Sequence, residues 1–205
     1  VDIMVLMLEK LGSTLTREDI QLLAWARGYE ELQKQEQTCL FSTTKTAERT
    51  PLFKWVGPIL TSRNVLIARK DRHISIQSIE DLKNYEIGVV INDIGERLLL
   101  QSGFEIQDLQ RVGGTDATMK NILKLDAGRI DLWSYGEIVA NWELKSYGFK
   151  PDEYETVYVL AEGDLYFAFH KNTSDAFIQQ MQTTLDGLRR EGEVQKIIEK
   201  YITIE

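Results

Sequence analysis

Ser78-Ile79-Glu80-Asp81-Leu82, then Glu86-Ile87-Gly88-Val89-Val90-Ile91, then Asp93-Ile94-Gly95-Glu96, place a helix start, a strand and a second helix start in immediate succession. Ser78 with Asp81 and Asp93 with Glu96 each have the spacing of a capping pair, in which side-chain oxygens take up the N–H groups a helix leaves open at its beginning. Working outward, the alternation continues. Thr115 or Asp116 caps a helix that reaches Asp126 and ends at Gly128. Residues 129–133 read as a strand, and residues 137–147 as a helix stopped by Gly148. Strands are expected at 156–160 and 165–169. A Ser174-capped helix follows with Phe177, Ile178, Met181, Leu185 and Leu188 on its core face, and after Gly192 a last helix turns Ile197, Ile198 and Tyr201 inward. On the other side, residues 65–69 and 38–42 read as strands, 27–35 as a polar-faced helix and 19–25 as a strand. The chain opens with an apolar helix at residues 3–11, followed by Gly12. Strands separated by helical stretches of about ten to fifteen residues imply βαβ units and mostly parallel sheets, hence an α/β fold.

Composition narrows the function classes. The 205 residues are 43% hydrophobic and 27% charged with only 3 Pro, an ordinary globular profile. A net charge of −8, with no cluster of basic residues, argues against nucleic acid as a partner. The longest apolar run, residues 3–8, falls far short of the about 20 residues that cross a bilayer, and it lacks the flanks of a secretory signal. Cys39 is the only cysteine, which rules out an internal disulfide and a cysteine-built metal site. His73 and His170 have no histidine at helical ligand spacing and are expected on the surface or in loops, so no metal centre is expected. No nucleophile elbow, phosphate loop or dinucleotide fingerprint occurs; neither a cofactor nor a catalytic constellation is expected.

One loop has chemistry of its own. Ser42-Thr43-Thr44-Lys45-Thr46-Ala47-Glu48-Arg49 is dense in hydroxyls and closes on an arginine directly after an apolar strand. Ligands of α/β sheets bind at carboxyl ends of strands, and a guanidinium fork grips a carboxylate bidentately. The same composition also suits a solvated turn.

The order of motifs resembles the periplasmic extracellular solute-binding proteins of the amino-acid ABC-importer group, family 3. The resemblance is carried by residues 25–32 (Trp-Ala-Arg-Gly-Tyr-Glu-Glu-Leu), by Thr46-Ala47-Glu48-Arg49 with residues 53–59, and by Ile79-Glu80-Asp81-Leu82. Ile87-Gly88-Val89-Val90, Leu99 with Gly103-Phe104, residues 128–133 and the C-terminal Gly192-Glu193-Val194 with Ile197 and Tyr201 complete it. It implies a type II periplasmic binding protein fold: lobe one from residues 1–67 and 169–205, lobe two from 68–168, two crossing strands between them, and a solute held in the cleft. It further implies a non-enzymatic function, binding a small carboxylate-bearing solute such as an amino acid for a membrane ABC permease, in the periplasm or outside the cell. Two alternatives are a sensor module and, on the same fold, a dehydratase using a carboxylate such as Glu137.

The implied site residues match unevenly. Arg49 stands where the family pairs an arginine with the ligand's α-carboxylate, facing an aqueous crevice, with Thr44 and Ser42 assisting. In lobe two the family's Ser or Thr at a helix start is replaced by Asn92-Asp93-Ile94-Gly95, so Asp93 is either a helix cap or a ligand contact. Gly136 occupies the place of the carboxylate that receives an α-amino group; either Glu137 or Asp93 substitutes, or the ligand has no amino group there. Trp133 and Tyr135 are expected as apolar walls. The family normally opens with a strand before the first helix. Here the helix at Ile3 comes first, so strand exchange with a second copy is one expectation.

Overall fold

The computed structural model describes residues 1–201; residues 202–205, the end of the expected lobe one, lie outside it. The described chain holds six strands and seven α-helices, which alternate strictly only from the strand at Ile87–Val90 to the helix at Asp175–Arg190. The strands are β1 (Cys39–Thr44), β2 (Phe53–Arg69), β3 (Ile87–Val90), β4 (Leu109–Val112), β5 (Leu132–Gly136) and β6 (Tyr154–His170), hydrogen-bonded in the order β1-β6-β2-β5-β3-β4. β3 pairs parallel with β4 and β5, the region of the quoted alternation; β1–β6 and β2–β5 are antiparallel.

The chain divides into two compact units. Unit one comprises Val1–Leu22, Gly28–Leu60 and Asp164–Glu205; unit two comprises Leu23–Arg27 and Thr61–Gly163. The long strands β2 and β6 each contribute residues to both. In unit one, α1 (Asp2–Lys10), α6 (Asp175–Arg190) and α7 (Glu193–Glu199) build the core from Ile3, Met4, Met7, Met181, Leu185, Leu188 and Val194 packed on Val56, Phe167 and Phe169. Ser174 caps α6 as its position predicts, its Oγ accepting from the Phe177 N–H at 3.2 Å. Two expected core residues are not inward. Phe177 is 38% exposed, one turn into α6, and Tyr201 is 48% exposed, its hydroxyl donating to Asp2 Oδ2 at 2.6 Å. His170, expected at the surface, is 4% exposed, and its Nδ1 accepts from the Asn172 N–H.

In unit two, α3 (Ile94–Gln101), α4 (Ala117–Asp126) and α5 (Glu137–Ser146) cover the sheet through two apolar clusters. One is centred on Trp133, Ile122, Leu125 and Leu144, the other on Leu66, Ile87, Val89, Leu99 and Leu132. Gly128 and Gly148 end α4 and α5 at φ +64° and +83°, the left-handed conformation that glycine adopts without a Cβ clash. The Ser78–Asp81 pair forms a true capping box, with Ser78 N–H donating to Asp81 Oδ2 at 2.8 Å, but it starts a 3₁₀ stretch, Ile79–Asn84, instead of an α-helix.

Three strand readings are corrected. The strand expected at 129–133 lies at Leu132–Gly136, because the Arg129 and Ile130 N–H groups return to the Lys124 carbonyl and so close α4. The two short strands expected at 156–160 and 165–169 are one, β6, which runs through Gly163, and the strand expected at 65–69 is the end of a longer one, β2, which starts at Phe53 and runs through Pro58; ladder pairing overrides the local break signals. Residues 19–25 form no strand. Thr16 caps a 3₁₀ turn at Arg17–Asp19, Ile20 is extended, Leu22 is 84% exposed, and α2 (Trp25–Lys34) begins at the end of the run.

Candidate functional site

The Thr44–Arg49 loop leaves β1 after an irregularity. The β1–β6 register shifts between Leu40 and Thr43, and Ser42 takes φ +51° there, exposed on the bulge. Beyond Thr44 the chain folds back on itself. The Arg49 N–H donates to Thr46 Oγ1 at 3.2 Å and to the Thr46 carbonyl at 3.1 Å, and Arg49 Nη1 donates to the Thr44 carbonyl at 3.3 Å. Arg49 thus reaches back to the end of β1, the place the sequence assigns it. Its exposure differs from expectation: the side chain is 1% exposed, with the guanidinium carbon 5.2 Å from the centre of the Tyr29 ring. Tyr29 projects from α2, remote in sequence, so no local pattern announces this cover.

Tyr29 begins a row of rings. Tyr29–Phe53, Phe53–Trp55 and Trp55–Tyr166 meet edge to face, with centroids 5.5, 5.8 and 5.9 Å apart. Lys45 Nζ lies over the last two, 5.8 Å from Trp55 and 5.2 Å from Tyr166. Phe53 and Trp55 alternate on one strand, so they share a face; that alternation is the signal by which the row could have been found.

In unit two, Asp93 is the N-cap residue of α3 by backbone conformation, but its side chain makes no capping bond. The carboxylate that serves the turn is Glu96, 2% exposed, whose Oε2 accepts from the Asn92 N–H at 2.6 Å and which pairs with Arg111. The Asn92 carbonyl accepts from the Trp25 indole at 2.9 Å, so both backbone groups of this φ +62° residue are held. Trp133 is fully buried and stacks on Tyr135 at 4.9 Å within a core cluster. Burial foremost, and then the charge of Asp93, push the Tyr135 hydroxyl pKa up; Thr118 donates to it at 3.2 Å. Glu137 opens α5 and is gripped by Arg63, Nε to Oε2 at 2.8 Å and Nη2 to Oε1 at 2.7 Å, with Thr156 Oγ1 adding a third bond at 2.9 Å. Burial raises the Cys39 thiol pKa well above its usual value. Among the described residues no His, Cys, Asp or Glu group is arranged to hold a metal ion, and no helix is long and apolar enough to cross a membrane.

A profile of one family matches residues 1–204. The chain belongs to the bacterial extracellular solute-binding proteins, family 3. Solved structures share the fold of this solute-binding protein. The substrate-binding protein of an amino acid ABC transporter is 22% identical, with 98% of this chain and 85% of that one covered at a TM-score of 0.77. An ABC uptake transporter substrate-binding protein from Streptococcus pneumoniae with bound histidine is 18% identical, covering 98% and 81% at 0.84. A histidine kinase sensor domain with similarity to periplasmic binding proteins is 18% identical, covering 98% and 84% at 0.83. Among curated protein sequences none matches.

Proposed function

We propose that this solute-binding protein takes up a small carboxylate-bearing solute, an amino acid or a related metabolite, at Arg49, and delivers it outside the cytoplasm to a membrane ABC permease without chemical turnover. The observation that carries this reading is the fixing of Arg49 at the end of β1 by Thr44, Thr46 and the Tyr29 ring. A guanidinium already immobilised gives up little conformational freedom on gripping an anion. Thr44 and the exposed Ser42 are the proposed neighbours of the carboxylate. Trp133 is committed to the core and Glu137 to Arg63 and Thr156, so neither is assigned to the solute. The engagement of Glu137 also speaks against its use as a dehydratase acid. What neighbouring structures bind, amino acids of ABC transporters among them, agrees with the solute class.

The test is calorimetric titration of the full chain with a panel of amino acids and organic acids, repeated on Arg49→Ala and Arg49→Lys. Binding of a carboxylate by the wild type and its loss in Arg49→Ala are expected, with Arg49→Lys, folded by circular dichroism, at least tenfold weaker. Unchanged affinity in both variants rejects the assignment.

A further inference from the structure

We propose that Lys45 sets the charge preference of the solute held at Arg49, favouring a second acidic group and rejecting a cationic side chain. This rests on the carboxylate reading of Arg49 and extends it to the class of the remaining part of the solute.

Lys45 directly follows β1 and opens the loop that Arg49 closes. Its ammonium lies over two ring faces set at 81° to each other, within the about 6 Å over which a cation is drawn to an aromatic face. The seat is built into the strands. Gly57 has φ +154°, and a Cβ there would stand 2.5 Å from Tyr166 Cδ1, so only glycine lets that ring close down on β2. The Trp55 indole is fixed by donating to the Thr50 carbonyl at 3.2 Å. Phe53 and Tyr29 continue the row to Arg49, so the two cations of one loop are anchored on one aromatic row.

Lys45 differs from Lys54, which pairs with Asp175 at 2.5 Å. Among the described residues no carboxylate forms an ion pair with Lys45, and its side chain is exposed. The rings attract the charge without using up the ammonium's three N–H donors, as a carboxylate partner would. In a chain of net charge −8, a positive charge is thereby held four residues before the arginine in the same loop, at the other end of the aromatic row that carries it. An acidic side chain meets attraction there and a cationic one repulsion.

The probes are L-glutamate, its neutral isostere L-glutamine, and L-arginine, titrated calorimetrically into wild type, Lys45→Met and Lys45→Glu. The wild type is expected to bind L-glutamate at least tenfold more tightly than L-arginine. Lys45→Met should narrow that ratio at least fivefold while moving L-glutamine less than twofold, and Lys45→Glu should reverse the order. Equal or stronger binding of L-arginine by the wild type, a ratio untouched in both variants, or no binding of any of the three overturns the proposal. The two readings fail differently. If Arg49→Ala abolishes binding while the Lys45 variants leave the ratio alone, only the charge preference falls; if Arg49→Ala changes nothing, the carboxylate reading itself falls.

Discussion

Glu96 is a carboxylate removed from water almost completely, so its energetics depend on partners. Arg111 neutralises it, and the Asn92 N–H supplies a short hydrogen bond at a residue whose left-handed backbone needs support. Replacing Glu96 with Ala leaves both partners uncompensated. Arg111 retains some solvent contact, which moderates the loss, and about 2–3 kcal/mol is expected. For a chain of this size that is a fall in Tm of about 5–10 °C by scanning calorimetry; a Tm within one degree of wild type would show that the turn holds without it. Asp81 offers the matching pH experiment. The Gln77 and Ser78 N–H groups stabilise its ionised form and hold its pKa below the ordinary aspartate value. A depressed folded pKa contributes stability that is present above the unfolded pKa and disappears as pH falls through the folded one. The Tm gap between wild type and Asp81→Ala should therefore be open at pH 7 and shrink as the pH falls below the ordinary aspartate range; a gap constant with pH would contradict the role of the charge. Asp81 was legible in the sequence because its partners lie within four residues. The burial of Arg49 was not, because its cover, Tyr29, comes from another element, and Glu137 met its partner Arg63 only through folding.

Elements were legible where local signals suffice. α6 is marked by Ser174 ahead of a periodic apolar face, and it forms where those signals place it. Ser174→Ala removes the acceptor of the Phe177 N–H and should lower stability by about 1 kcal/mol. Read as the urea midpoint, this is a shift at unchanged m-value; an unaltered midpoint would mean that water replaces the cap at no cost. Strands are harder because their existence depends on a neighbour. Residues 20–24 have the apolar content of a strand but no ladder partner among the described residues, whereas Gly163 and Pro58 carry break signals inside strands that pairing sustains. Arg129 and Ile130 show the competition directly: their N–H groups are claimed by the end of α4 before the sheet can take them.

At the scale of the molecule, the family was legible because many weak motifs stood in a fixed order along nearly the whole chain, and order over distance is more specific than any one motif. The detailed site was less so, since which side chain meets which depends on packing between remote segments. Binding and stability are then linked by mass action. A solute that binds the folded chain and not the unfolded one stabilises it by about 2.7 kcal/mol at a hundred times its Kd. The rise is read in the thermal unfolding transition of the full chain. Scanning calorimetry of the full chain with saturating carboxylate solute should move that transition up by about 5–10 °C. In Arg49→Lys, which keeps the positive charge but not the planar fork, the shift should shrink to a fraction of this at the same solute concentration. An equal shift in wild type and Arg49→Lys would place the grip on the solute elsewhere.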